Sequence, residues 1–165
     1  MTNQYDSEEL AANNKRSLRR LERAITIAQG QFSLILVCCN YPPLRQQAVM
    51  QLQELSSVPI QELTLHPSVN TLFTTILTAV EEPLPAALVV SGLDSVVAID
   101  QVLSATNLVR DEFRKRFPFP LVLCINDEIL QKLIRLAPDF KSWAGNPIRF
   151  EVPNKQTLAR SAITA

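Results

Sequence analysis

The segment NYPPLR, from Asn40 to Arg45, follows an apolar run and precedes a glutamine-rich stretch. A sharp turn between a buried strand and a helix is a common phosphate-binding position in α/β proteins, because backbone N–H groups and the helix N-terminus point at the anion. Such a turn needs glycines that let the backbone wrap around phosphate. It also needs a lysine for charge and a serine or threonine for magnesium.

This turn lacks all of those parts. Residues 34–55 contain no glycine, no lysine, no serine and no threonine. Pro42 and Pro43 also lack the N–H groups that would face a phosphate. The sequence therefore predicts a degenerate phosphate loop and no cofactor. Its positions are Asn40, Tyr41, Pro42, Pro43 and Arg45, where Arg45 is either one remaining positive charge or an ordinary surface arginine.

Two further positions follow apolar runs and carry acidic or amide side chains. Asp94 comes after ALVVSGL, where a nucleotide hydrolase has an acidic residue that orients magnesium-bound water. The alternative role of Asp94 is to cap the next helix or turn, and we favour it. Asn126 and Asp127 either sense a terminal phosphate or begin a helix, for which a capping role of Asn126 suffices.

Other catalytic and metal-binding arrangements are weak. The chain has one histidine and three cysteines, without a CxxC pair or zinc-ligand spacing, so we expect no metal site. Cys38, Cys39 and Cys124 lie in apolar runs and are expected to be small buried side chains, with a redox switch as the alternative. His66 could act as a base for Ser68, but no third orienting group is evident, so no catalytic residue is predicted.

Apolar periodicity indicates alternating strands and helices. It predicts a three-layer α/β/α sandwich with a mainly parallel five-stranded sheet. Residues 1–6 are predicted to be disordered, residues 7–152 to form a single domain, and residues 153–165 to be a polar tail or linker. Helices are predicted over residues 7–29, 44–55, 69–80, 99–116 and 128–136, and strands over 32–40, 60–65, 87–91, 121–126 and 148–152.

Charge and hydropathy limit the partners. Sixteen basic residues balance sixteen acidic ones, so no overall field favours nucleic acid or an anionic membrane. Two basic stretches, residues 14–23 and 110–117, are interleaved with acids, and we interpret them as solvated helix faces. The polar N-terminus and the short apolar runs lead us to expect a cytoplasmic protein without a membrane span.

Phe140 and Trp143 lie in the proline-interrupted segment APDFKSWAG, outside any periodic stripe. They either pack over the edge of the sheet or anchor an interface, because tryptophan is favoured at binding hot spots. We keep both residues as interface candidates.

Long stretches of the chain resemble a known class of domain. LRRLERAITIAQGQFSLILVCCNYPPLRQQAVMQLQEL, ALVVSGLDSV and NLVRDEFRKRFPFPLVLCINDEILQKLIRLAPDFKSW are similar to degenerate P-loop NTPase domains of the STAND class, the signal transduction ATPases with numerous domains. The resemblance spans about residues 17–143 and is most distinctive at Cys39 to Arg45 and at Leu136 to Trp143. Such domains precede tetratricopeptide repeats in bacterial, especially cyanobacterial, proteins.

The resemblance implies a P-loop NTPase-like fold in a signalling protein. Active members have a glycine-rich phosphate loop, replaced here by residues 40–43, and an acidic hydrolysis site, retained at most as Asp94. We therefore expect an inactive domain that binds a protein partner or an adjoining domain, and neither nucleic acid nor membrane. The alternative is a weak ATP-binding sensor or ATPase that uses Asp94 and Arg45.

Overall fold

The computed structural model describes the backbone of residues 2–152 and the side chains of residues 7–152. The predicted tail, residues 153–165, lies outside the described residues. The strands are β1 (Ser33–Cys39), β2 (Ile60–Thr64), β3 (Ala87–Ser91), β4 (Pro120–Ile125) and β5 (Ile148–Phe150). The helices are α1 (Thr2–Ile27), α2 (Pro42–Leu55), α3 (Leu72–Ala79), α4 (Ile99–Leu108), α5 (Arg110–Arg116), α6 (Asp127–Leu136) and α7 (Pro138–Lys141), with a 3₁₀ turn at Leu93–Ser95.

The five strands form one sheet in the order β2-β3-β4-β1-β5, and every pair is parallel. The central strands β1 and β4 are almost continuously apolar because both of their faces are covered, as in parallel sheets generally. The predicted fold class, a three-layer α/β/α sandwich on a parallel sheet, is confirmed.

Helices cover the two faces unequally. Leu21 and Ile25 of α1 and Ala48 and Leu52 of α2 pack on one face. The other face carries α3 to α7 over a larger core. This second core contains four fully buried phenylalanines, with Phe113 and Phe140 ring centroids 5.0 Å apart.

The element boundaries differ from the prediction in several places. Helix α1 begins at Thr2 rather than Ser7, and α3 begins at Leu72 rather than Val69. The single helix predicted over residues 99–116 is wrong, because the chain breaks between α4 and α5 at Val109. The short helix α7 was not predicted, since Pro138 interrupts the pattern that would indicate it.

Candidate functional site

The strand order places a binding crevice at the carboxyl end of the sheet. Strands β1 and β4 are neighbours, but the chain leaves β1 for α2 on one face and leaves β4 for α6 on the other. In open α/β sheets, ligands bind where neighbouring connections diverge in this way. We call the region at the carboxyl ends of these strands, from Asn40 after β1 and Asp127 after β4 to Asp94 after the neighbouring β3, the switch crevice.

The side chain of Asn40 crosses the switch crevice. Its Nδ2 donates a hydrogen bond to Oδ2 of Asp127 at 2.8 Å, and its Oδ1 accepts one from the backbone N–H of Asp127, also at 2.8 Å. The first residue of the degenerate loop is therefore tied to the N-terminus of α6. A helix N-terminus that could receive an anion is instead bonded to an amide of the same chain.

Arg149 completes this cluster, and sequence reasoning missed it. Its Nη1 lies 2.9 Å from Oδ1 of Asp127, and the Sγ of Cys38 donates to the same oxygen at 3.4 Å. The one available signal was an arginine between the buried Ile148 and Phe150 of β5. Its meaning depends on the pairing of β5 with β1, which the sequence does not reveal.

Hydrogen bonding and charge shift the titration of this cluster. The hydrogen bond from Asn40 and the one from Arg149 lower the pKa of Asp127 below its usual 3.8. Burial, reinforced by Asp127, raises the pKa of Cys38 to about 11. The thiol of Cys38 is therefore protonated at neutral pH and acts as a hydrogen-bond donor rather than a nucleophile.

The structure also brings together Arg45 and Asp94, two residues of the predicted site that are far apart in the sequence. Nη1 of Arg45 on α2 lies 3.6 Å from Oδ1 of Asp94 in the 3₁₀ turn after β3, with side chains 13% and 25% exposed. The favoured capping role of Asp94 is wrong, because the N-cap residues of its turn and of α4 are Gly92 and Ala98, and neither element has a side-chain cap bond. Arg45 is likewise largely buried rather than an ordinary surface arginine.

The remaining loop residues begin α2 without capping it. Tyr41 is the N-cap residue but makes no side-chain cap bond, and Pro42 and Pro43 form the first helical positions. The first helical hydrogen bond of this region runs from the N–H of Arg45 to the carbonyl of Tyr41 at 3.1 Å. The prolines thus remove two of the free N–H groups that a phosphate would need.

Two other predicted arrangements have structural roles. The Oδ1 of Asn126 accepts the N–H of Ile129 at 2.8 Å, which confirms the capping role of Asn126. Nδ1 of His66 lies 2.7 Å from Oγ of Ser68 and also accepts the Ser68 N–H at 3.1 Å. Both contacts belong to one exposed turn, and no acidic side chain among the described residues is bonded to His66.

The cysteines behave as buried side chains. Cys38, Cys39 and Cys124 are all free and buried, as predicted, and Cys38 and Cys39 contribute to opposite faces of the sheet. Burial raises the pKa of Cys124 to about 12. Within residues 7–152, no group of three or more histidine, cysteine or acidic side chains is placed to hold a metal ion.

Phe140 and Trp143 have different environments. Phe140 is fully buried against Phe113, so its proposed role as an interface anchor is wrong: a side chain with no exposed surface contacts no partner. Trp143 is partly buried at the margin of the same core, and the guanidinium of Arg114 lies 3.7 Å from its ring centroid. Trp143 therefore remains the accessible member of the pair.

Comparisons with known proteins identify the fold class. Neither the protein-family models nor the curated proteins gave a match. The fold is similar to that of a chain in the crystal structure of Rif2 in complex with the C-terminal domain of Rap1, with a TM-score of 0.50 and 12% sequence identity. The match covers 98% of this chain and 62% of that chain. No helix among the described residues has both the length and the apolar character of a membrane span.

Proposed function

We propose that this chain is a P-loop NTPase-like domain that does not hydrolyse nucleotide and acts as a protein interaction or adaptor module in signalling. The observation that carries the proposal is the occupied switch crevice. Asn40 bonds to both the side chain and the N–H of Asp127, while each crevice arginine, Arg45 and Arg149, already faces a carboxylate. A nucleotide phosphate would have to replace these internal contacts without glycine N–H groups or a lysine to receive it.

Two further observations support a binding role. Trp143 is the kind of side chain that anchors interfaces, and its ring is partly accessible beside Arg114. The chain of similar fold was solved in complex with a protein domain. The resemblance of residues 17–143 to STAND domains points the same way, toward a domain that works within a larger signalling assembly.

A weak nucleotide sensor is the second candidate, because the structure places Arg45 and Asp94 in contact. The two functions predict different effects of Asp94→Asn on Mg-ATP binding. In a sensor, the variant loses a magnesium-orienting carboxylate and binds more weakly. In the inactive domain, wild type gives no saturable heat, and the variant binds anions no more weakly because Arg45 loses its internal partner.

Calorimetric titration of wild type, Asp94→Asn and the control Asp111→Asn with Mg-ATP and Mg-GTP decides between them. Asp111 is exposed, lies on α5 and has no described ion pair, so its replacement changes the net charge without touching the crevice. Saturable micromolar binding to wild type that Asp94→Asn selectively weakens would replace the proposal with the sensor.

The interaction role has its own test. A photo-crosslinking residue is placed at the exposed Asn146, close in sequence to Trp143. In the organism that naturally makes this protein, it should give one defined adduct with a partner protein. The same residue at the exposed Asn70, after β2, serves as the control. The same yield at both positions, or no adduct at either, would contradict a specific interface near Trp143.

A further inference from the structure

The solvent face of α1 carries five cations: Lys15, Arg16, Arg19, Arg20 and Arg23. At about 100° per residue, these positions fall within an arc of about 140° on one side of the helix. All five residues are exposed, whereas Leu21 and Ile25, on the opposite side, are 3% and 1% exposed. We call this face the α1 basic stripe. It is about 12 Å long at 1.5 Å per residue.

No cation of the α1 basic stripe forms an ion pair with any described residue. The one side-chain contact among them joins Arg16 to the neutral amide of Asn13. The stripe also places like charges four residues apart, as in Lys15 and Arg19 or Arg16 and Arg20, and such pairs destabilise a helix. The arrangement therefore costs stability in the free protein, and an anion laid along the helix would relieve it.

The second basic stretch is arranged differently. Arg110 faces Asp139 at 4.0 Å, Lys115 faces Glu112 at 3.6 Å, and Arg114 covers the ring of Trp143. The interpretation of both stretches as solvated faces balanced by acids therefore fits residues 110–117 better than residues 14–23. The two sequences look alike, but three of the four cations in the second stretch have a partner among the described residues, and Arg116 is the exception, whereas none of the five on α1 has an acidic one there.

The chemistry of the α1 basic stripe favours one kind of partner. Four of its five cations are arginines, which bind phosphate in bidentate geometry. One large apolar side chain on the described part of α1 is exposed, that of Ile27, which lies on the same side of the helix as the stripe but about one turn beyond its last cation, Arg23. A protein hot spot or a membrane-inserting helix needs apolar anchors beside the charge, whereas a nucleic-acid backbone is bound by charge alone.

We propose that the α1 basic stripe binds the phosphate backbone of a nucleic acid without reading its bases. Glu8 and Glu9 lie on the same side of α1, one to two turns before Lys15, and would repel phosphates there. They confine the footprint to residues 15–23. The inference concerns a surface on the α1 and α2 side of the sheet and is independent of the proposed function of the crevice.

Fluorescence anisotropy with two unrelated 20-base-pair DNA duplexes tests the proposal, as a function of salt between about 50 and 200 mM. We expect similar micromolar affinity for both duplexes. The variant Arg16→Gln, Arg19→Gln, Arg20→Gln should bind at least tenfold more weakly and reduce the slope of log K against log salt by about two to three. A matching Arg→Lys triple variant should lose less affinity than the glutamine variant, because it keeps the charge and loses only the bidentate geometry of arginine.

The control variant is Lys115→Gln, Arg116→Gln, Arg135→Gln, which removes the same charge from exposed positions on the opposite face of the sheet. It should bind DNA with an affinity within about twofold of wild type, since the contacts to phosphate are expected to come from α1, which this variant leaves unchanged. Circular dichroism should match for all variants, because arginine and glutamine have similar helix propensities. The α1 glutamine variant should melt no lower than wild type, because it loses the like-charge pairs.

Three outcomes would overturn the proposal. They are no duplex binding by wild type at 50 mM salt, equal weakening in the α1 variant and the control, or tighter binding to polyglutamate or to anionic phosphatidylserine vesicles than to DNA. The last outcome would assign the α1 basic stripe to an acidic protein or a membrane surface instead.

Discussion

The switch crevice and the α1 basic stripe both contain arginines, but they use them in opposite ways. In the crevice, Arg149 lies 2.9 Å from Asp127 and Arg45 lies 3.6 Å from Asp94. On α1, no arginine has an acidic partner among the described residues. The carboxyl end of the sheet, where this fold class binds ligands, is therefore filled by contacts within the chain. The unpaired cations lie on the solvent face of α1 instead.

The largest effect on the crevice is expected from Gly92→Ala, in the loop that positions Asp94. Gly92 has a φ of +94°, and an added Cβ would lie 3.0 Å from both the N and the O of Leu65. Backbone strain and this clash should lower the free energy of unfolding by about 2–4 kcal/mol. Urea denaturation measures it.

Gly30→Ala is the matched control for this prediction. Gly30 also has a positive φ, +82°, but nothing lies within 4 Å of its added Cβ. It should lose about 1–2 kcal/mol, from strain alone. Equal losses at both glycines would mean that the packing of Leu65 against Gly92 does not hold the loop.

Asn40→Ala should have the next largest effect, because it removes the two hydrogen bonds that join β1 to α6. We expect a loss of about 1 kcal/mol in the free energy of unfolding, since the bonds are partly exposed but one involves a charged carboxylate. Asn70→Ala, at an exposed position without a described hydrogen bond, should stay within about 0.5 kcal/mol of wild type. If Asn40→Ala leaves the free energy of unfolding unchanged, the hydrogen bonds between Asn40 and Asp127 do not stabilise the crevice.

Single arginine replacements should separate the two regions. Arg149→Gln is expected to lower the free energy of unfolding by about 0.5–1 kcal/mol and to leave DNA affinity unchanged, because the charge of Arg149 is already paired with Asp127. Arg19→Gln should leave stability within about 0.5 kcal/mol of wild type and reduce the salt slope by about one. If the two variants change the free energy of unfolding and the salt dependence of DNA binding to the same extent, paired and unpaired arginines do not differ in role.

The smallest effect is the pH dependence contributed by Asp127. The pKa of Asp127 is lower in the folded protein than the usual 3.8. Asp127 therefore stabilises the fold at pH values above its unfolded-state pKa, and this stabilisation is lost as the pH falls through its folded-state pKa. Asp127 is about half exposed, so we expect a contribution under about 1 kcal/mol, lost below about pH 4.

Urea denaturation of wild type and Asp127→Asn between about pH 7 and pH 2.5 measures this term. The variant should lose less stability on acidification than wild type. Parallel curves for wild type and Asp127→Asn would assign acid sensitivity to other carboxylates.

Much of the fold was predictable from local patterns. The buried run before Asn40 and the run Leu121 to Ile125 indicated central strands, and all five strands were placed within two residues at each end. The break at Val109 was not predictable, because apolar spacing continues through α4 and α5. It becomes visible only where the two helices pack separately.

The candidate site was predictable only in part. The missing glycines indicated a degenerate loop at Asn40 to Pro43, and Arg45 and Asp94 were singled out separately. Their contact depends on α2 and the turn after β3 meeting over the sheet, and the role of Arg149 depends on β5 pairing with β1. Such long-range pairings follow from strand order, which hydrophobic periodicity does not contain.

Side-by-side calorimetric titration of the wild-type chain with Mg-ATP and with a 20-base-pair duplex tests the central claim most directly, at low salt and neutral pH. We predict saturable heat with the duplex and none with Mg-ATP. Saturable Mg-ATP binding that Arg45→Gln or Arg149→Gln abolishes would contradict it, because the crevice arginines would then be free to bind a ligand.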